Sequence, residues 1–239
     1  IMASKKKQLE ISLKDMNDIK SITDNQKLVF DNYKDKNLFL YGVAGTGKTF
    51  VALYNALKDV LDPKSPRERV YIVRSIIPTR DIGFLPGDEE DKSYLYQVPY
   101  QNMVRFMFKR GSDAEFDRLY NDLRNQGTID FLTTGFLRGV TIDNGVVIVD
   151  ECQNLNFHEL DTIMTRVGQD TKIVFAGDMQ QTDLTKFQDK NGILSFVNIL
   201  QEMQEMECIE FGINDIVRSG LIKSYLINKI KLGLHYEQI

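Results

Sequence analysis

The chain has 239 residues, of which 42% are hydrophobic, so it can form one large domain or one domain with a small appendage. Its net charge of -4 excludes a global basic field, and any nucleic-acid binding would need a local basic patch. Two cysteines, Cys152 and Cys208, are too few for a disulfide framework and favour a reduced, cytoplasmic setting. No apolar run reaches the roughly 20 residues of a membrane span, so no membrane partner is expected.

The N-terminal residues are polar and weakly patterned, and we predict a lead-in strand or arm over residues 1–22, followed by a single domain over residues 23–239. Thr23 has the side chain of a helix cap, and Leu28, Val29 and Tyr33 supply the apolar face of the helix that follows. Gln26 lies in this helix just before a glycine-rich loop. Its amide could pair with both hydrogen-bonding positions of adenine, or it could be a surface glutamine.

The glycine-rich loop is the strongest motif in the chain. An apolar run at 38–41 precedes it and an amphipathic helix follows, which are the two flanks that the pattern G-x-x-x-x-G-K-[ST] requires. Such a loop cradles phosphates with main-chain N–H groups at a helix start, while its lysine neutralises them and its last hydroxyl binds Mg²⁺. The predicted ATP-binding residues are Gly42, Val43, Ala44, Gly45, Thr46, Gly47, Lys48 and Thr49, with Thr49 also a metal ligand.

A second buried strand is predicted at residues 70–73, where four residues rich in β-branching stand together. The loop after it, residues 78–88, is rich in glycine and proline. Ligands in open α/β sheets gather beyond the carboxyl ends of strands, so this segment is either a working loop or a surface excursion.

Helical periodicity returns over residues 94–124, and Gly111 divides the stretch into two helices. The methionines and phenylalanines here, among them Met103, Phe106 and Met107, are expected to lie in the core rather than to stack on bases. A short strand at 129–132 follows.

The second informative motif is the apolar run at residues 146–149, which is followed by Asp150 and Glu151. Four β-branched residues in a row indicate a strand buried on both faces, and two carboxylates at its end need a cation nearby. Asp150 suits a Mg²⁺ ligand, and Glu151 suits the base that activates the attacking water.

A helix at 157–166 leads to another buried strand at 172–176, which closes with Gly177. Gln181 follows at this strand tip, where a glutamine can touch both a γ-phosphate and the attacking water. A helix at 193–203, a strand at 208–211 and a terminal helix to about residue 231 complete the predicted α/β fold. Its class is a three-layer P-loop NTPase with a mostly parallel central sheet flanked by helices.

These motifs, taken in order, resemble the PhoH-like ATPases, a family named for phosphate starvation whose core is similar to the first motor domain of superfamily one helicases. The likeness covers about residues 23–231. It rests on Gln26, residues 42–49, 83–88, 138–139, 149–154 and 165–168, residues 177–178 with Gln181 and 183–184, and residues 217–218.

The resemblance implies that Gln26 reads adenine, that Lys48 and Thr49 hold phosphate and Mg²⁺, and that Gln181 senses the γ-phosphate. It also matches Arg166 and Arg218 to two arginines of the family. The chain departs from the family at Ser75, at residues 78–81, at Cys152 and at Ser219. The first two departures weaken any nucleic-acid contact inferred from that loop.

An arginine from across a cleft can accelerate phosphoryl transfer by about 10³ to 10⁵. Two-domain helicases supply it from a second domain, which a chain of this length lacks. We therefore expect a homo-oligomer, most simply the hexameric ring that the family suggests, with Arg166 or Arg218 donated by the neighbouring subunit. The alternative for Arg218 is a salt bridge within its own subunit.

The predicted function is hydrolysis of ATP coupled to movement along, or remodelling of, single-stranded RNA or DNA. The alternative is a nucleotide-switched interaction protein with slow turnover and no coupling to a polymer. A small-molecule kinase is a third possibility, but it would need an acceptor pocket and a lid. The expected cofactors are ATP and Mg²⁺.

Overall fold

The computed structural model describes residues 11–74, 89–135, 137, 139–179 and 187–233, which form one central sheet flanked by helices. Six strands lie within these residues: β1 Asn37–Gly42, β2 Arg69–Arg74, β3 Ile129–Leu132, β4 Gly145–Asp150, β5 Lys172–Gly177 and β6 Met206–Phe211. The seven described α-helices are α1 Asp24–Asn32, α2 Lys48–Leu61, α3 Glu89–Met107, α4 Asp113–Asn125, α5 Phe157–Met164, α6 Phe187–Glu202 and α7 Gly220–Lys231.

All pairings between these strands are parallel, and the order across the sheet is β3-β2-β4-β5-β1-β6. The three strands β4, β5 and β1 are therefore direct neighbours, and their carboxyl ends meet at one edge of the sheet. This edge collects the glycine-rich loop after β1, the acidic pair at the end of β4 and Asp178 after β5. The topology thus brings motifs about a hundred residues apart into one place.

The strands are buried on both faces because their alternate residues enter two separate cores. In β1, Leu38 and Leu40 belong to the core that contains residues of α1 to α4, whereas Phe39 belongs to the core that contains residues of α5 and α6. In β4, Ile148 joins the first core and Val149 the second. Two helical layers on one sheet give the three-layer α/β fold, which confirms the fold class predicted from the sequence.

The opposite edge of the sheet, where the strands begin, holds a buried lysine. Lys172 at the start of β5 donates from Nζ to the main-chain oxygen of Lys36 at 2.6 Å, and its ammonium lies 5.0 Å from the centre of the Tyr33 ring. Burial lowers the pKa of Lys172 to about 8, and the neighbouring Arg67 charge acts in the same direction. The charged form of this side chain is therefore disfavoured by folding.

The described part of the lead-in, residues 11–22, is attached to the first core. It contains a 3₁₀ turn at Leu13–Asp15, and Ile11 and Met16 are buried. A bridge pairs Met16 with Phe108 just after α3. The boundary at residue 22 stays a prediction.

The observed helices differ from the sequence prediction mainly at their ends. The backbone of α3 is helical from Glu89, five residues before the predicted start, and α5 ends at Met164, so that Arg166 lies in the turn that follows. Residues 78–88, for which the sequence left a working loop or a surface excursion open, lie outside the described residues. Among the helices described, none has both the length and the apolar character needed to cross a bilayer.

Candidate active site

The glycine-rich loop joins the end of β1 to the start of α2 by backbone conformations that favour glycine. Gly42 has a φ of +112°, and a Cβ at this position would lie 2.2 Å from the main-chain oxygen of Phe211. Gly47, with a φ of +81°, caps α2. The first N–H groups of α2 have no partner inside the helix, and together with the helix dipole they favour an anion at the loop.

The Lys48 ammonium lies at the centre of this loop. Its Nζ donates to the main-chain oxygens of Gly42 at 2.8 Å and Val43 at 2.7 Å. Burial lowers the pKa of Lys48, while the negative charges of Asp178 and Glu151 oppose this shift. The lysine is therefore close to carboxylates that follow the ends of β4 and β5.

The carboxylate of Asp150 is held between two hydroxyl groups. Thr49 Oγ1 donates to Oδ1 at 2.7 Å, and the Tyr100 hydroxyl donates to Oδ2 at 2.6 Å. Burial raises the pKa of Asp150, and the adjacent Glu151 charge adds to the rise. A buried carboxylate whose ionised form is this costly is a suitable neighbour for a cation.

Tyr100 is a site residue that the sequence interpretation missed. Its side chain is 2% exposed and packs edge-to-face on Phe131, with ring centres 5.4 Å apart. Burial and the Asp150 charge raise the pKa of Tyr100 well above its usual range, so the phenol remains a hydrogen-bond donor. Nothing in the sequence indicates this contact, because Tyr100 belongs to a helix that looked like ordinary core and lies 50 residues from its partner.

Glu151 has a left-handed backbone, with φ +51° and ψ +40°, which costs a residue with a side chain about 1–3 kcal/mol. Its carboxylate accepts a hydrogen bond from Gln153 Nε2 at 2.6 Å. The Oε1 atom of Gln153 in turn accepts from the main-chain N–H of Asp178 at 3.1 Å. Gln153, a second residue that sequence reasoning did not place in the site, thus connects Glu151 to the end of β5.

Gln26 is attached to the phosphate loop from the other side. The predicted cap of α1 is confirmed, since Thr23 Oγ1 accepts from the Gln26 main-chain N–H at 3.3 Å. The amide donates from Nε2 to the Thr46 oxygen at 3.0 Å and accepts at Oε1 from the Ile22 N–H at 3.1 Å. These two bonds fix which way the amide points and leave one N–H and one lone pair for a ligand.

Arg218 lies against the phosphate loop of its own chain. The main-chain N–H of Val217 donates to the oxygen of Gly45 at 3.0 Å, and a Cβ at Gly45 would lie 3.0 Å from the Arg218 Cγ. Arg74 at the end of β2 lines the same cleft, and its charge lowers the pKa of Asp150 against the rise caused by burial. The sequence analysis did not place Arg74 in the site.

Arg166 is not brought to this cleft. The N–H of Ile142, three residues before β4, donates to the Arg166 oxygen at 2.8 Å, so Arg166 lies toward the edge where the strands begin. Its Nε is buried and has no hydrogen-bond partner among the residues described. Gln181, the predicted γ-phosphate sensor, and Arg138 lie outside the described residues.

The described residues enclose a cleft of about 830 Å³ above the carboxyl ends of the strands. Lys48, Asp150, Glu151 and Gln26 all line it, together with the phosphate loop and Arg218. Phe106 also lines it and is 70% exposed, so the expectation that this phenylalanine lies in the core is wrong. The helix was predicted correctly from its apolar period, but in α3 the Phe106 side chain lies toward the cleft rather than toward the sheet.

The oxygen donors at the loop fit a hard divalent cation. The Thr49 hydroxyl and the Asp150 carboxylate are 2.7 Å apart, and oxygen ligands are those that Mg²⁺ prefers. Among the residues described, no group of three or more His, Cys, Asp or Glu side chains could hold a metal.

A phosphate loop after β1, an acidic pair at the tip of β4 and a parallel sheet between helical layers define a P-loop nucleotide-binding protein. The family described as PhoH-like protein matches residues 18–229, which is most of the chain. The chain belongs to the PhoH-like family, as its ordered motifs predicted.

Curated relatives agree with this assignment. The chain is 36% identical over 159 residues to Protein PhoH2 of Bacillus subtilis, covering 66% of this chain and 35% of that protein. It is 32% identical over 187 residues to a PhoH-like protein of Synechocystis, covering 77% and 54% of the two chains. Protein PhoH of Escherichia coli K12 is 29% identical over 191 residues, covering 79% and 51%. The chain therefore spans about a third to a half of the length of these relatives.

Solved structures with a related arrangement include helicase domains. The Hef helicase domain of Pyrococcus furiosus matches 80% of this chain and 39% of its own, with 11% identity and a TM-score of 0.45. Bacteroides Pif1 bound to ssDNA matches 81% and 42%, with 18% identity and a TM-score of 0.37. Because both scores are below 0.5, the fold assignment rests on the sheet topology and the family match.

Proposed function

We propose that the protein hydrolyses ATP with the aid of Mg²⁺ in the cleft at the carboxyl edge of the sheet. The observation that carries this proposal is the contact of Thr49 with Asp150 at 2.7 Å beside the buried Lys48 ammonium. This is the arrangement that a triphosphate and its metal ion need, since a hydroxyl and an ammonium at the phosphate loop lie beside a carboxylate from the end of β4.

The mechanism assigns one task to each side chain. Lys48 and the N–H groups of residues 43–49 bind the β- and γ-phosphates, and Gln26 orients adenine through its remaining donor and acceptor. Thr49 and Asp150 would hold Mg²⁺, which supplies positive charge to the phosphate oxygens as the bond to the leaving group breaks.

Glu151 acts as the base that orients and deprotonates the attacking water. Its strained backbone and its bond to Gln153 aim the carboxylate from the tip of β4 into the cleft. A fixed carboxylate within reach of the water contributes about 10²- to 10⁴-fold to such a step. Gln181, placed by sequence just beyond β5, is proposed as the γ-phosphate sensor.

The first test is release of phosphate from ATP by the full chain in the presence and absence of Mg²⁺. Turnover should require Mg²⁺, and Lys48→Ala should lose both ATP affinity and turnover. Leu194→Ala, at an exposed position of α6 outside the lining of the cleft, is the control. Equal turnover by the wild-type chain and Lys48→Ala would reject the site.

The proposal includes a homo-oligomer in which a neighbour completes the site. Arg218 already lies at the phosphate loop of its own chain, so it is proposed as an arginine acting in cis. Arg166 lies away from the cleft and has an unpaired buried Nε among the described residues, which makes it the better candidate for donation in trans, within a hexameric ring.

Dilution tests this arrangement. Specific turnover should fall as subunits separate, and Arg166→Lys should lower turnover by about 10³-fold or more while ATP still binds. Mixing Arg166→Lys with Lys48→Ala chains should restore part of the activity, because each supplies what the other lacks. A monomer with undiminished turnover on dilution would contradict the proposal.

The proposal also includes coupling of ATP hydrolysis to single-stranded RNA or DNA. The resemblance to a motor domain supports this coupling. Turnover should rise when single strands are added at low salt and fall back as salt increases. No response to any strand at low salt would refute the coupling without touching ATP hydrolysis.

A specific observation favours a second function, a nucleotide-switched interaction protein. Helix α7 exposes Leu221 (84%) and Tyr225 (64%), and the segment before it is bonded to the phosphate loop through Val217. Nucleotide could therefore set the position of an apolar face. Assembly that requires ATP, with slow turnover indifferent to polymers, would identify this function instead.

A further inference from the structure

The cleft has an apolar end that the proposed chemistry does not use. Beyond the phosphate loop its walls are formed by Ile19 and Ile22 on one side and by Met103 and Phe106 of α3 on the other. Ile22 is 73% exposed and Phe106 70% exposed, although the neighbours of Phe106 in α3, Val104 and Met107, are fully buried. Single exposed apolar side chains are common, but here two of them line one cleft.

Three hydrogen bonds connect the walls of this end of the cleft. The Ile19 N–H donates to the Tyr54 hydroxyl of α2 at 3.0 Å, and this hydroxyl donates to the Asn17 oxygen at 2.9 Å. Asn17 Nδ2 donates to the Phe106 oxygen at 2.8 Å, which ties the segment to the end of α3. The two apolar walls are therefore attached to each other as well as to α2.

The same end is connected to the phosphate loop through one side chain. Gln26 accepts from Ile22 and donates to Thr46, so the apolar wall and the phosphate-binding turn share a buried amide. A nucleotide whose phosphates lie on the loop can extend its base toward this amide, and Phe50 of α2 also lines the cleft. The apolar end is thus the continuation of the phosphate site.

We infer that Phe106 stacks on the nucleobase, with Ile22 and Met103 covering the rest of the ring, and that this contact gives the site a preference for purines. The inference rests on the proposed nucleotide site and deepens it, because it names how the base is held. An aromatic side chain stacks on any base, but a purine buries more ring surface than a pyrimidine. Gln26 then adds hydrogen-bond selection to a contact that is mainly apolar.

Diphosphate ligands test the inference without interference from hydrolysis. The full chain is titrated with ADP, CDP and inorganic pyrophosphate in the presence of Mg²⁺. Phe106→Ala should raise the Kd for ADP about tenfold, leave the Kd for pyrophosphate unchanged, and reduce the difference between the ADP and CDP affinities to the part that Gln26 selects. Phe106→Trp should restore ADP binding, and Leu194→Ala, an exposed apolar residue of α6 away from the cleft, should change nothing.

The outcomes separate this inference from the proposed function. If the wild-type chain binds neither ADP nor pyrophosphate, the nucleotide site itself is wrong. If both bind but Phe106→Ala leaves the ADP Kd and the purine preference unchanged, only the stacking contact is refuted. A change in oligomer mass with unchanged ADP affinity would assign Phe106 to a subunit contact and would also overturn the inference.

Discussion

The residues of the site form hydrogen-bond chains that reach across the sheet edge. Asp150 joins Thr49 of α2 to Tyr100 of α3, and Gln153 joins Glu151 to the end of β5. Each chain fixes a carboxylate that would otherwise sample several rotamers. Positioning residues of this kind commonly matter about as much as the groups that contact the ligand.

Tyr100→Phe removes one of the two donors to Asp150 and keeps the packing on Phe131. We expect the Mg²⁺ concentration for half-maximal ATP turnover to rise about tenfold, because the carboxylate is less well oriented toward the metal. Mn²⁺ binding to the chain with ADP, followed by paramagnetic resonance, should weaken in parallel. Tyr225→Phe is the matched control, and an unchanged metal requirement in Tyr100→Phe would refute the positioning role.

At the scale of elements, the sequence predicted the strands well because a parallel strand buried on both faces is a continuous apolar run. The runs at 146–149 and 172–176 lie within β4 and β5, and the phosphate loop lies between β1 and α2 as its motif requires. The side-chain partners could not be predicted from the sequence. The way α3 packs on the sheet determines that Tyr100 contacts Asp150 and that Phe106 lines the cleft. The left-handed backbone of Glu151 could not be predicted either, because this conformation is usually recognised in a sequence by a glycine.

Gly177 at the end of β5 shows how closely these elements approach. A Cβ at this position would lie 2.5 Å from Gln153 Oε1 and 2.8 Å from Cys152 Sγ. We expect Gly177→Ala to lower the free energy of unfolding by about 1–3 kcal/mol and to reduce turnover by displacing Gln153 from Glu151. Gly220→Ala is the control, since nothing lies within 4 Å of its Cβ position, and equal denaturation midpoints for the two variants would contradict the close packing.

In the molecule as a whole, one sheet edge carries the candidate active site and the other carries a buried lysine. Because folding lowers the pKa of Lys172 to about 8 from 10.5, the unfolded chain binds more protons than the native chain between these values. Stability should therefore rise as the pH increases through this window, since the charge that is costly to bury is lost.

Lys172→Met tests this relation by chemical denaturation at pH 7.5 and pH 10. The free energy of unfolding of the wild-type chain, relative to that of the variant, should increase on the order of 1–2 kcal/mol over this range, less than the full shift because solvent at the sheet edge screens the charge. Lys64→Met, at an exposed position, should show no such difference. If the free energy of unfolding, relative to that of Lys172→Met, stayed constant or fell as the pH increased, the Lys172 ammonium would have to be solvated rather than buried.

In the proposed mechanism the cleft binds ATP, and Glu151 activates the water molecule that cleaves it. The most direct measurement is the fate of a stoichiometric amount of labelled ATP mixed with the full chain and Mg²⁺. We expect the wild-type chain to convert ATP to ADP, whereas Glu151→Gln should retain ATP uncleaved, with conversion slowed by about 10²-fold or more. Conversion at the same rate in both chains, or loss of ATP binding in Glu151→Gln, would contradict it.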